Sequence, residues 1–256
     1  MKQNVIVVVI VLAFLCVVSQ VHSSTPESSS LPQSIEGMPS RILTNIRSSW
    51  KEFLQSLDDV LQDDKNDLFI LVDKKHHLQK DFVPYSLVEL QSNAFYQVSR
   101  AGHQLTPEAE EALMHMARSA KKDGITIMVS STYRTYEYQV NLFKRYAREY
   151  GEKEADRFSA RPGATQHRLG TVIDFGSISD DYAMTPAGKW LYANASKYGW
   201  SLSYPKGFEQ VTGYKWECWH YRYLGVKACV LQTKYFEDVQ QYLLEFIHWW
   251  KKNRDK

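Results

Sequence analysis

Apolar positions recur at helical spacing in some stretches of the chain and at strand spacing in others. Ile42, Leu43, Ile46, Trp50, Phe53, Leu54, Leu57, Val60 and Leu61 return at three- and four-residue steps and stop near the acidic "DDKND". This period lines one face of a helix. It predicts an N-terminal helix within 41–66, set as a helical appendage on the rest of the chain. "LFILVD" reads as a buried strand. Thr106-Pro107 supplies an N-cap and a first-turn proline, opening a helix that stops before Gly124. "ITIMVSS" is short and β-rich, a strand leading into "TYRTYEYQ". A helix follows to about Tyr150, and Thr185-Pro186 opens another. A last helix is predicted from about Lys234 to Lys252, where Phe236, Val239, Leu243, Phe246, Ile247 and Trp250 form one stripe suited to a core more than to a membrane. There is no internal repeat. Strands and helices alternate irregularly, which predicts an α+β fold with a mostly antiparallel sheet, flanking helices and a site on the loops.

Composition narrows this picture. The 256 residues are 44% hydrophobic and 23% charged, which suits one globular domain, placed at 67–256. A formal net charge of +2 leaves no basic footprint, so nucleic acid is not expected as a partner. Lys2 precedes an apolar run of 14 residues, Val5 to Val18. That run is short for a membrane span and suits the core of a signal peptide. Residues 1–23 are therefore read as a signal peptide, cleaved after Ser23, of a monomer exported to the periplasm or cell envelope. An uncleaved N-terminus would instead be a membrane tether. The Ser/Pro/Gly-containing stretch 24–40 reads as a flexible linker. Export would leave Cys218 and Cys229 where disulfides are permitted. A bridge between them, two buried thiols, and Cys218 as a zinc ligand or nucleophile are all open readings.

Three segments carry candidate chemistry. "WECWHYRYLG", 216–225, sets Glu217 and His220 three residues apart among aromatics. "ARPGATQHRLGTVIDFGS", 160–177, holds His167 and then the strand-like "TVIDF", whose alternation puts Ile173 and Phe175 on one face and Asp174 on the other. A loop returning His167 over that strand would bring it to Asp174. "SSTYRTYEYQ", 130–139, places Arg134 after a strand end, where a guanidinium could grip a carboxylate. Each has a plainer reading alone: core histidines, solvated carboxylates, a surface arginine. Together, His167, Asp174 and His220 offer the three ligands of a catalytic zinc, with Glu217 left as general base. Residues 217 and 220 can share a site only if Cys218 and Trp219 form a turn or bulge.

In order and spacing, these segments resemble the M15B group of zinc peptidases, the VanY-like D-alanyl-D-alanine and L,D-carboxypeptidases of bacterial cell walls, whose fold is shared with Hedgehog signalling domains. The resemblance covers about residues 67–252, including "LVDKKHHLQKDFVPYSLVEL" and "TPAGKWLYANASKYGWSLSYP". It implies a Hedgehog/DD-peptidase-like fold, Zn2+ held by His167, Asp174 and His220, Glu217 as catalytic base and Arg134 as the clamp for the substrate's terminal carboxylate. It also implies that Gln139 and Ser159 line the peptide site. The implied reaction removes the C-terminal D-alanine of peptidoglycan stem peptides, at a D-Ala-D-Ala or an L,D bond. Two positions depart from the family: Thr165-Gln166 replaces the usual Ser-Glu, and Cys218 replaces Pro. The alternative is a non-catalytic Hedgehog-like peptidoglycan-binding module. Retention of Glu217 argues against it, because binding alone needs no general base.

Overall fold

The computed structural model describes residues 31–65 and 67–254; the expected signal peptide, 1–23, and linker residues 24–30 lie outside them. Two helices, α1 (Ser40–Ser48) and α2 (Trp50–Leu61), stand where one was expected. The Ser48 and Ser49 hydroxyls both donate to the Asn45 carbonyl, at 2.7 and 3.1 Å. The Ser49 amide turns to Ile46 instead. Local side-chain hydrogen bonds thus interrupt the helical ladder. The apolar face survives the break, with Ile42, Leu43, Ile46, Phe53, Leu54, Leu57 and Val60 buried. Leu31, Ile35 and Met38, within the expected flexible linker, are buried in the same core.

"LFILVD" buries Phe69, Leu71 and Val72 but forms no strand. Nη2 of buried Arg222 donates to the carbonyls of Leu68 and Ile70, at 2.8 and 2.9 Å, so a side chain takes acceptors that a sheet partner would need. Next come β1 (Val88–Glu89), β2 (Tyr96–Val98) and β3 (Gln104–Leu105), with β1 and β3 paired as a separate antiparallel ribbon. Helix α3 (Pro107–Lys122), strand β4 (Ile127–Ser131) and helix α4 (Tyr136–Tyr150) lie where proline, glycine and β-branched residues predicted them. They are followed by α5 (Glu152–Phe158), β5 (Val172–Phe175), α6 (Pro186–Asn194), β6 (Trp200–Leu202), α7 (Glu209–Thr212) and β7 (His220–Tyr223). The main sheet runs β2-β4-β5-β7-β6. Its β2–β4 pair is parallel and its other pairs are antiparallel, as the α+β reading expected.

The predicted C-terminal helix is also divided. Helix α8 (Val226–Tyr235) stops just after Lys234, and α9 (Gln240–Asn253) begins afresh. Between them Glu237 and Asp238 adopt positive φ, 56° and 58°. Gln232 and Thr233 donate to the Asp238 carboxylate, at 3.0 and 3.1 Å, which closes α8. The predicted stripe is nonetheless buried at Phe236, Val239, Leu243, Phe246, Ile247 and Trp250. Two cores result. One lies between α3 and the sheet residues Ile127, Val129, Ile173, Phe175 and Tyr221. The other joins α1 and α2 to α8 and α9.

Candidate active site

Strand pairing builds half of the site. Asp174 on β5 lies directly opposite His220 on β7, and such neighbours point to one face. Ile173 and Phe175 face the core with α3, so alternation turns Asp174 to the other side. The expected return of His167 is a 3-10 turn, Gln166–Leu169, just before β5. Thr165 enters it, its hydroxyl accepting from the His167 amide at 3.3 Å. Gly170 leaves it at φ 70°, where a Cβ would lie 2.9 Å from Leu87 Cδ2. Only glycine meets both demands.

A third strand end fixes the turn. A register shift in β4 between Val129 and Ser131 redirects the chain. Beyond it the Thr132 carbonyl accepts from His167 Nδ1 at 2.7 Å, and the Arg134 amide donates to the His167 carbonyl at 3.3 Å. Cys218 and Trp219 form the turn that the E-x-x-H spacing required. The His220 amide donates to the Glu217 carbonyl at 3.3 Å, and both side chains enter one cleft.

The His167, Asp174 and His220 side chains together could hold a metal ion. His167 uses Nδ1 on a carbonyl, so its tautomer leaves Nε2 bare, 3.1 Å from Asp174 Oδ2. His220 Nδ1 lies 3.1 Å from Asp174 Oδ1 and 3.3 Å from Glu217 Oε2. Asp174 Oδ1 is nonetheless buried without a hydrogen bond. The donor atoms thus converge on a point between them, and the three ligand atoms lie within 4.8 Å of one another. A small cation is what satisfies such a set, and two imidazoles with one carboxylate suit zinc.

Without an ion, the side-chain electrostatics mark where the site favours positive charge, at His220 between the two carboxylates. Burial, with Arg134 nearby, pulls His167 down to about 4, keeping it neutral. Burial opposes charge on His220 too, but the Asp174 and Glu217 carboxylates outweigh it and push that imidazole up to about 9. Burial also disfavours the Asp174 anion, yet His167, His220 and Arg134 hold its carboxyl well below the usual range. Glu217 goes the other way: burial raises it, and His220 offsets this only in part. One carboxylate is fixed as an anion while the other can carry a proton.

The remaining predicted residues are placed unevenly. Arg134 reaches Asp174 Oδ2 with Nη2 at 2.7 Å and gives Nε and Nη2 to Ser131 Oγ, at 3.0 and 2.8 Å. Its Nη1 has no hydrogen-bond partner among the described residues. Ser159 lines the cleft, of about 510 Å3, and its buried hydroxyl is unpartnered among the described residues. Gln139 is not on that wall: it is buried and donates to the Ala160 carbonyl at 2.7 Å, holding the segment beside Ser159. Cys218 and Cys229 are separate buried thiols. The aromatic wall of Tyr146, Tyr150 and Phe158 and the second acceptor, Ser131, were not read from the sequence; aromatic residues at i and i+4 on α4 were the available signal.

Comparison with known proteins points the same way. A family model described as VanY, D-alanyl-D-alanine carboxypeptidase, matches residues 102–226. YodJ of Bacillus subtilis (strain 168) is 33% identical over 196 residues, covering 72% of this chain and 71% of that protein. The solved LdcB LD-carboxypeptidase is 30% identical at a TM-score of 0.61, over 72% of this chain and 86% of that one. A variant of the vancomycin-resistance D,D-pentapeptidase VanY, solved in complex with Zn(II), is 25% identical at a TM-score of 0.56, over 69% of this chain and 98% of that one.

Proposed function

The chain belongs to the VanY family of D-alanyl-D-alanine carboxypeptidases, and from that premise we propose that it removes the C-terminal D-alanine of peptidoglycan stem peptides at the cleft of His167, Asp174, His220 and Glu217. It is a zinc carboxypeptidase. The observation that carries the assignment of residues is the convergence of three buried ligand atoms with a fourth group, Glu217, beside them and not needed for ligation.

Zinc, when held by His167, Asp174 and His220, supplies Lewis-acid polarisation of a carbonyl and acidification of a water. Glu217 takes the proton of the attacking water and delivers it to the leaving amine of D-alanine. Its raised affinity for a proton suits both halves of that transfer. Arg134 is held by Ser131 and offers Nη1 to the substrate's free carboxylate, which makes the enzyme an exopeptidase. The Ser159 hydroxyl meets the peptide from the cleft wall, and Gln139 keeps that wall in place. The apolar run Val5–Val18 supports export to the cell envelope, where the substrate is found. The enzyme acts there as a monomer, tethered to the membrane only where its N-terminus is left uncleaved.

Incubating the zinc-loaded protein with tripeptide, tetrapeptide and pentapeptide stems, and weighing the products, tests this reading. Loss of D-alanine from the pentapeptide marks D,D cleavage and loss from the tetrapeptide marks L,D cleavage. Glu217→Gln keeps the shape and removes the base, so turnover should fall by about 100- to 10,000-fold with zinc retained. A binding module would hold the stems and leave all of them intact with wild-type protein.

A further inference from the structure

A second cavity, of about 650 Å3, adjoins the catalytic cleft, and the Trp216 indole lines both. It opens between α6, β6 and the α8–α9 junction. Its floor is buried: Trp200, Ser201 and Gln232 are all at most 2% exposed. The Ser201 hydroxyl donates to Gln232 Oε1 at 2.8 Å. Gln232 Nε2 in turn donates to the Asp238 carbonyl and carboxylate, at 3.1 and 3.0 Å. Trp200 Nε1 is a buried donor with no hydrogen-bond partner among the described residues.

The rim is different in character. Tyr192 is 79% exposed, an unusual position for so large a ring. The Lys206 ammonium lies 5.0 Å over the Trp216 ring. Lys189, Glu237 and Asp238 complete the edge, and Arg41 pairs with Glu237 from outside. Glu237 and Asp238 are successive non-glycine residues at positive φ, a strained arrangement that sets the Asp238 carboxylate on Gln232 at the cavity mouth.

We propose that this cavity binds an N-acetylated amino sugar of the glycan strand that bears the stem peptide, so that the enzyme grips its substrate at two places. The inference rests on the cleft being a stem-peptide site. A pyranose offers a C–H face that stacks on aromatic rings and a periphery of hydroxyl and acetamido groups. Tyr192 supplies an exposed ring face, and Trp216 walls the side toward the cleft. The rim lysines, Lys189 and Lys206, supply donors, and the exposed Glu237 and Asp238 carboxylates supply acceptors. Lysines and carboxylates share the rim, so it complements a neutral sugar better than a polyanion. The Trp216 wall shared with the cleft points to the occupant, the glycan to which the stem is joined. An extended stem spans about 3.5 Å per residue, so four residues reach about 14 Å, enough to pass one indole.

The test compares kcat/KM on a free stem peptide with kcat/KM on the same stem joined to its N-acetylated disaccharide. Wild-type enzyme should favour the disaccharide-stem, and millimolar N,N′-diacetylchitobiose should cancel that advantage without slowing cleavage of the free stem. Tyr192→Ala should lower the preference by about 3- to 10-fold, the worth of one stacking contact, with free-stem kcat/KM unchanged. Tyr192→Phe, which keeps the ring, should retain it. Equal kcat/KM on both substrates, or a preference that survives Tyr192→Ala, overturns the sugar site while leaving the catalytic reading intact. If neither substrate is cut, the reading of the cleft fails and the sugar site falls with it.

Discussion

Asp174 is where the electrostatics of the site meet, since His167, His220 and Arg134 all press on one buried carboxylate. Removing one of the three proposed ligands therefore removes more than one donor atom, because the remaining groups lose the charge that arranges them. His167→Ala, Asp174→Ala and His220→Ala should each abolish the binding of about one zinc per chain, read by metal analysis after dialysis. Full zinc content in any one variant would take that residue out of the ligand set. Arg134→Ala should instead keep zinc and weaken turnover of substrates with free C-termini. Amidating the substrate should hurt the wild type in the same way, and an amidated stem cut at the normal rate would end the clamp assignment. That Glu217 meets His220 and His167 meets Asp174 was legible in sequence because few residue types can form such a cluster. The tautomer of His167 was not, because its partner is the Thr132 carbonyl, and every residue has a carbonyl. The two departures from the family become intelligible only with neighbours in view. Gln166 Oε1 accepts from Ser203 at 2.9 Å and its Nε2 donates to Gln240 at 3.3 Å, a buried neutral network that an ionised glutamate could not complete in the same way. Cys218 turns its thiol to the Ser179 and Asp180 carbonyls, at 3.6 and 3.8 Å, so Cys218→Pro should leave zinc and activity in place.

Elements were legible wherever a local signal sufficed. Thr106-Pro107 and Thr185-Pro186 start α3 and α6, and Gly124 follows the end of α3. The misreadings fall where a distant or competing hydrogen bond takes backbone groups: Arg222 on Leu68 and Ile70, Ser48 and Ser49 on Asn45, Gln232 on Asp238. Periodicity records which face is buried and is blind to these partners. The loop after "LFILV" shows how such a contact stabilises an irregular element. Asp73 Oδ1 accepts from the amides of Lys75 and His76, both at 2.8 Å, and Asp73 Oδ2 accepts from Gln241 of α9 at 2.7 Å. Burial alone would raise the Asp73 carboxyl, but these donors and the His76 ring lower it from its ordinary 3.8. A carboxyl depressed in the folded state adds stability that is present above its unfolded pKa and is lost as pH falls through the folded value. Asp73→Asn should thus destabilise the protein by roughly 1–3 kcal/mol near neutrality. The gap between variant and wild type should narrow below about pH 3.8 in urea melts, from that ordinary value. A gap that stayed constant down to about pH 2 would show that the charge of Asp73 is not what holds the loop.

At the scale of the whole molecule, the N-terminal helices were legible as helices, but their place in the architecture was not. An amphipathic stripe states that a face is covered and leaves the covering element unnamed. The Phe53 ring lies 5.0 Å from that of Tyr235 on α8 and 5.1 Å from that of Phe246 on α9, edge-on to both, and is fully buried. At the surface Lys234 of α8 pairs with Glu52 of α2, and Glu237, between α8 and α9, pairs with Arg41 of α1. Helix α8 follows β7 after only Leu224 and Gly225, and β7 begins at His220. Loosening the helical core should therefore reach His220, one of the proposed metal ligands, through one short connection. Phe53→Ala leaves a cavity at the centre of that core, and replacements of this kind cost about 3–5 kcal/mol. We expect Phe53→Ala to lower the urea midpoint by a corresponding amount, with zinc release and the loss of helical signal occurring in one transition. A chain lacking residues 31–61 would expose the apolar faces of α8 and α9, and it should aggregate or fail to hold zinc. If that shortened chain instead unfolds cooperatively at the wild-type midpoint and keeps its zinc, then the helical pair is an accessory to the catalytic fold and the shared core has little part in supporting the site.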